Sequence, residues 1–576
     1  MESLAVAPSG GSLIAGMERV AVIDRVESAS TTLYVSLNGS DSASGTASHP
    51  FRTLAACAAA AAAGGECRLA PGRYDGPQDQ RTVVVSRDLT ITGPGKGPAA
   101  IIDGSVPILT AWTRIPGRSC LYQSAPMAQE VWQLWAGDSP LTPARFPNAM
   151  LADDSVFDGA PFALSGRRNG SLLYSSRDSV AGRIHDDGTH APSLASSGLD
   201  LKGSIAVLPL GTMGSQAQGV RVTKHGAGSS SFSYAPPPGT AGKGHTNLPF
   251  FFEGSCSLLD SEGEWCVARQ GGISRLQVWL DGCADPRTAS LRGKTRSYLL
   301  NATRATRLSL SHVTLYAGTL GTTEAAWWLS MDHVRMAFPS ANRRVLDEEG
   351  ATAAPLVLRA NEAGGGLTLA NCSFEWWDAI VPFDVVGDGA RVSDCSFVRG
   401  GYALGESASL SDGGRSDGLV FERNEVTIFN SFVGLTPGTH ALVEYNEFSR
   451  QTPCVDGAAV HVHIAAQNGL LLRRNWAHDL TVKAFRFDRV NSKSAKWGVN
   501  GTAVENVAWR TAGPTFKGDH HTIANNTVFD SSTESGPDAN AALFVMMYSP
   551  DKPWAIPGEN AHTVLALNAA DSLNLP

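Results

Sequence analysis

Asn371-Cys372-Ser373-Phe374, Asp394-Cys395-Ser396-Phe397, Asn424-Glu425-Val426, Asn446-Glu447-Phe448, Asn475-Trp476, Asn506-Val507 and Asn526-Thr527-Val528 are versions of one phrase: a turn-forming Asn or Asp, a variable residue or two, then an apolar or aromatic one. Read at the Asn or Asp, successive marks lie 23, 30, 22, 29, 31 and 20 residues apart. That spacing suits a strand-rich coil plus a loop of variable length, and a repeat of this size signals an array. Between the marks run short Val, Leu, Phe and Ile-rich segments with alternating polar residues, such as Gly469 to Leu472, and almost nothing with helical period. A β-solenoid is the simplest object that stacks such units, each rung hydrogen-bonded to the next and burying its inward residues against its neighbours.

A solenoid can use all 576 residues in one continuous core, so length does not force a division into several domains. The formal charge of −8 leaves no basic excess to neutralise phosphates, which excludes a general nucleic-acid binder. Residues 451 to 530 nevertheless hold nine Lys or Arg against six Asp or Glu, and five of the fourteen His, a local bias toward acidic ligands. Nine Cys form no CxxC zinc or redox pattern. Cys57 with Cys67, and Cys256 with Cys266, are spaced to close small loops, while Cys372 and Cys395 hold matching places in successive rungs. Six Asn-x-Ser/Thr sequons suit secretion, although the first thirty residues lack a signal-peptide pattern and no apolar run is long enough for a transmembrane span. The end at Leu575-Pro576 shows no capping pattern, and truncation there is expected.

Residues 1–30 read as a disordered leader. From Tyr34 the chain gives a strand and turn, a helix of high Ala propensity beginning near Phe51, and a strand ending at Pro71-Gly72. A short helix there would plug the open end of a solenoid and protect its first edge. Tyr34 to Tyr74 resembles the opening of secreted right-handed parallel β-helix proteins of the pectate-lyase-like superfamily, in which such a helix caps the first coil. Gln133 to Asp138, Ala144 to Asn148 and Phe251 to Trp265 resemble a non-helical segment inserted before the main coils of many of these proteins. Leu291 to Asp530, with Phe485-Arg486-Phe487-Asp488 and Lys517-Gly518-Asp519, resembles the coils themselves. The resemblance covers most of residues 34 to 550 and implies fold far more than activity, because the superfamily holds lyases, hydrolases, epimerases and adhesins. The expected organisation is all-β: cap and first coils at 31–111, a β-rich insertion at 112–290, and the main parallel β-helix at 291–576. The aromatic residues of 112–290 are read as core rather than as a sugar platform.

Alternation along strands then predicts a site. With Val460, Val462, Phe485, Phe487 and Phe516 inward, His461, Arg486 and Thr515 stack outward in one column, and His463, Asp488 and Lys517 in the next. Lys483, His478, Asp479, Asp519 and His520 lie on the flanks. These residue types suit β-elimination beside a uronate. Arg486, or a calcium ion held by Asp488 and Asp519, would neutralise the sugar carboxylate. Lys517, His461 or His463 would take the C5 proton, and Tyr402 or another His would protonate the leaving oxygen. Lys483, His478, Asp488 and Asp519 would line the groove. Asp378, Asp384, Asp412 and Asp417 could bind calcium but follow no spacing motif. The sequence thus points to a carbohydrate-active protein of the cell surface or exterior, a monomer whose partner is an acidic polysaccharide and whose most concrete reaction is that of a polysaccharide lyase. A hydrolase or epimerase at the same groove, or a non-catalytic glycan-binding rod, is the alternative. A plain ladder salt bridge between Asp488 and Lys517 is the competing structural account. Because Arg486 and Lys517 face outward, their removal is expected to leave thermal unfolding nearly unchanged.

Overall fold

The computed structural model describes residues 31–158, 174–175, 182–188, 192–210, 216–237, 249–302, 307–322, 328–350, 366–378, 388–402, 410–411, 417–430, 433–451, 457–462, 465–488, 498–531, 543–545, 562–571 and 573–574. Three parallel sheets wind along one axis. The first has 13 strands, from Thr32–Val35 to Val564–Ala566, and the second 12, from Gly72–Tyr74 to Ala569–Ala570. The third side is a 3-stranded sheet in the early coils and a 7-stranded one from Leu410–Ser411 to Leu573–Asn574. Each coil visits the sheets in that order, giving the right-handed parallel β-helix. Among the described residues the one α-helix is Leu54–Ala60, capped by the Thr53 side chain accepting from Ala56 N. It buries Leu54, Cys57 and Ala58 and is tied by the Cys57–Cys67 disulfide to the strand Gly65–Leu69 of the first sheet.

The interior follows from register. Phe374 pairs with Phe397, and that with Val426, so identical inward positions form columns. Phe374 stacks on Phe397 at 5.1 Å, and Phe397 on Phe421 of the adjacent sheet at 6.2 Å. A second column is polar. Asn424, Asn446, Asn475, Asn506, Asn526 and Asn568 occupy one corner of successive coils, and each Oδ1 accepts the backbone N–H of the residue one coil below: Asn446 Oδ1 from Asn424 N at 2.9 Å, Asn475 Oδ1 from Asn446 N at 3.1 Å. From Asn424 to Asn526 each Nδ2 donates to the next Oδ1 and to a backbone carbonyl, so these buried amides are satisfied by one another.

This ladder corrects the phrase that revealed the repeat. Cys395 N donates to Asn424 Oδ1, and Cys372 N to Cys395 Sγ, so the two cysteines, not Asn371 and Asp394, continue the ladder. Asn371 and Asp394 stand one residue earlier with φ of 52° and 56°, the left-handed corner that Arg423, Tyr445, Arg474 and Glu505 fill in other coils. Asn and Asp are favoured by both positions, for different reasons, which is why sequence alone merges them.

The insertion leaves between the second and third sheets of one coil. Its pairing strands run from Ser105–Pro107 to Leu291–Lys294, wider than the 112–290 read from aromatic content, and form an eight-stranded and a seven-stranded sheet. Phe232, Phe250 and Phe252 pack edge to face in its core. Cys120–Cys283 closes it across 163 residues, and Cys256–Cys266 staples one edge. Against the coils it presents Trp135, which packs on Tyr316 and Phe338. The contact also buries charge. Arg344, from a coil loop, pairs with Glu253 of the insertion, and Lys294 Nζ donates to the carbonyls of Phe338 and Pro339 at 2.8 and 3.1 Å. Burial pushes the Lys294 ammonium down to about 7 and the Glu264 carboxyl up to about 8.

Candidate functional site

Three consecutive strands of the third sheet, Ala458–Val462, Lys483–Phe487 and Thr515–Phe516, carry the cluster that alternation predicts. Val462 pairs with Phe487 and Phe487 with Phe516, whose rings meet edge to face at 5.0 Å in the interior. The same pairing puts His461 beside Arg486 and Arg486 beside Thr515. One residue further on, Asp488 N bonds Val462 O, and Lys517 N bonds Phe487 O, so Asp488 and Lys517 follow in step. His463 lies outside the described residues.

Asp488 is the hub. Its Oδ2 meets His461 Nε2 at 3.1 Å, and its Oδ1 accepts from Arg486 Nη2 at 3.2 Å and Lys517 Nζ at 3.5 Å. Burial alone would raise this carboxyl. The His461 hydrogen bond and the Arg486 and Lys517 charges outweigh it and hold the group well below the usual carboxylate range. Arg486 and Lys517 both pair with this one carboxylate. These side chains face away from the helix interior but are not exposed: His461, Arg486 and Lys517 keep 5%, 8% and 7% of their surface. Outward orientation along a strand therefore does not mean solvation here, and the expectation that Arg486 and Lys517 can be removed without touching stability does not follow from the structure.

Two polar residues set the backbone under the hub. Gln467 Nε2 donates to Asp488 O at 2.7 Å, just past the pairing with Val462. His521 accepts from Gly501 N through Nδ1 at 3.0 Å and donates from Nε2 to Lys517 O at 3.3 Å, which fixes its tautomer. Burial pushes that imidazole down to about 4, so it is neutral at pH 7. Neither was singled out from sequence: Gln467 sits in an Ala-rich turn, and His521 follows His520 as an ordinary turn residue. Gly518, at φ 133°, shows the tightness of this turn, since a Cβ there would lie 2.3 Å from His521 Nε2.

The other sequence candidates lie elsewhere. His478 is on the second sheet in Trp476–His478, bonded to Asp479 at 2.7 Å and Glu447 at 3.1 Å, and stacked on Trp476. Lys483 shares the parity of Phe485 and Phe487 rather than of Arg486, so it does not extend the outward column. Asp519 turns to His520, bonding its N at 2.9 Å and its Nδ1 at 3.1 Å, rather than joining Asp488. A calcium site of Asp488 and Asp519 would also set the cation against Arg486 and Lys517. Tyr402 accepts from Gln133 Nε2 at 3.0 Å in the contact between insertion and coils. There burial holds its phenol well above its ordinary value. Asp378 is buried in the same contact beside Asn342, with its carboxyl pushed up to about 6 by burial, while Asp417 pairs with His440 at 2.6 Å. Asp384 and Asp412 lie outside the described residues.

The chain is thus a right-handed parallel β-helix, with Asp488, His461, Arg486 and Lys517 clustered on its third sheet. Among solved structures it is similar to a protein described as a glycoside hydrolase, with a TM-score of 0.54 and 12% identity over 94% of this chain and 97% of that one. Looser likenesses are to XylC solved with xylose, TM-score 0.30 and 12% identity over 90% of this chain and 68% of that one, and to a lacto-N-biosidase from Eubacterium ramulus, TM-score 0.32 and 9% identity over 94% and 67%. At these identities the likeness is one of fold. No protein-family model matches the sequence, and no curated protein matches it. No described helix is long and apolar enough to cross a membrane.

Proposed function

We propose that this protein acts on an acidic polysaccharide and cleaves it by β-elimination beside a uronate, at the outward face of residues 461 to 519. One observation carries this reading: Asp488 gathers Arg486, Lys517 and His461, from three consecutive coils, into one sheltered patch. Arg486 and Lys517 are the groups that a uronate carboxylate would meet there. Arg486 pairs with it, and Lys517 adds charge, so electron density is drawn from C5 and its proton becomes acidic. His461, positioned against Asp488 through Nε2, is the base that takes that proton. The C5–H electrons form the C4–C5 double bond as the C4–O bond breaks, and the departing oxygen takes a proton from the medium. Three disulfides among the described residues suit an oxidising compartment outside the cytosol.

Hydrolysis is the second reading, because the protein of similar fold is described as a glycoside hydrolase. It needs two carboxyl groups across the scissile bond, one of them protonated. Asp488 is held ionised and is poorly suited to be the acid.

Incubation with polygalacturonate, alginate or chondroitin separates the readings. Rising ultraviolet absorbance from the new double bond supports elimination. New reducing ends without that absorbance indicate hydrolysis, and retention on an immobilised polyuronate with neither signal indicates a binding protein. Absence of all three rules the proposal out for these polymers.

A further inference from the structure

Far from this cluster, the corner between the first and second sheets brings two histidines and an aspartate together. His312 follows Arg307–Ser311 and His333 follows Trp328–Asp332, so they take the same corner position in adjacent coils. Both are left-handed, with φ of 53° and 52°, and are anchored by His312 N to Asp332 O and His333 N to Ala370 O, each at 3.1 Å. The rings lie 4.8 Å apart at 34°. Asp332 Oδ1 is 3.0 Å from His333 Nδ1 and accepts from Asn371 Nδ2, at the next corner up, at 3.0 Å.

We infer that His312, Asp332 and His333 form a binding site for one divalent transition-metal ion of the zinc, nickel or cobalt kind. One ligand atom from each of the three lies within 4.8 Å of the others, and among the described residues no other group of three His, Cys, Asp or Glu converges in this way. A second stacked corner pair, His520 and His562 at 4.6 Å beside Asp519, does not. Tetrahedral zinc with bonds of about 2.0–2.2 Å sets its ligands roughly 3.3 Å apart. The Asp332–His333 pair is already closer than that, and the half-exposed His333 ring can close the rest by rotation. Two imidazoles with one carboxylate select borderline ions over calcium or magnesium, and three protein ligands leave a position for water. His312 also borders a cleft of about 540 Å³ with Tyr34, Arg68 and Thr92, which gives access to that position. Asn371 orients the carboxylate from outside the ligand set.

The test is isothermal titration of the full chain with ZnCl2, NiCl2 or CaCl2 in a non-chelating buffer at pH 7.5, with circular dichroism to verify folding of each variant. One equivalent of zinc or nickel should bind, and calcium should not compete. Asn371→Ala should weaken zinc binding by about tenfold, as loss of an outer partner does, and His333→Ala and Asp332→Ala by at least that much. His520→Ala should leave it unchanged. No saturable zinc or nickel binding by the wild-type chain, or binding unaltered in both His333→Ala and Asp332→Ala, overturns the site.

Discussion

His461 Nε2 and Asp488 Oδ2 meet at 3.1 Å although they stand 27 residues apart, because one coil of the helix returns the chain to the same side. Asp488 also holds Arg486 and Lys517, so Asp488→Asn removes a carboxylate that two sheltered cations share. Urea unfolding at pH 7 should show a loss of about 3 kcal/mol. A depressed carboxyl contributes stability that is fully present above its unfolded pKa and is lost as pH falls through the folded value. The gap between wild type and variant should therefore hold from pH 7 to about 4 and shrink only below that. A gap that closes between pH 7 and 5 would mean that Asp488 is not the hub.

Arg486→Ala and Lys517→Ala each remove a charge-assisted contact to Asp488 from a buried position. Each should lower stability by about 2 kcal/mol and abolish turnover of a polyuronate. Arg486→Lys keeps the charge but not the planar fork, so it should fold like the wild type and bind substrate less tightly. Equal KM in Arg486→Lys and wild type would remove Arg486 from substrate contact.

The ladder makes a sharper claim about folding. Asn475 accepts from Asn446 N and Nδ2 and donates to Val443 O and Asn506 Oδ1. Asn475→Ala strands several buried polar groups and should cost about 4 kcal/mol, whereas Asn371→Ala, at an exposed left-handed corner, should cost about 1 kcal/mol. Equal losses in denaturant melts would contradict the one-residue offset between corner and ladder.

His521 ties the cluster to acid sensitivity. Its folded pKa is lowered from 6.5 to about 4, so stability is complete above about pH 6.5 and drains as pH falls toward 4. Between pH 7 and 5 this site alone should remove about 2 kcal/mol. His521→Gln should be less stable at pH 7 yet lose less on acidification. A slope identical to wild type would mean that His521 is not neutral and buried.

Much of this arrangement is legible in the sequence because strand alternation is strict. Val462, Phe487 and Phe516 announce the interior column, and His461, Arg486, Asp488 and Lys517 then fall into place as outward neighbours. What alternation does not carry is depth: nothing in Phe485-Arg486-Phe487 says that Arg486 is covered. Parity does carry the placement of Lys483, which belongs with Phe485 and not with Arg486. The Cys120–Cys283 bridge spans too much chain to be read from spacing, unlike the ten-residue loops at Cys57 and Cys256. His312 and His333 follow no spacing motif, and the corner that brings them together is visible only once the coil length is known.

Titration of the wild-type protein and Arg486→Ala with a defined oligouronate, and with its carboxyl-reduced counterpart, tests the proposed role of the Asp488 cluster most directly. The result expected is binding of the oligouronate by the wild type, with at least about tenfold loss both in Arg486→Ala and for the reduced sugar. Equal affinity of both proteins for the oligouronate, or of the wild type for both sugars, would contradict a carboxylate-recognising site on the third sheet.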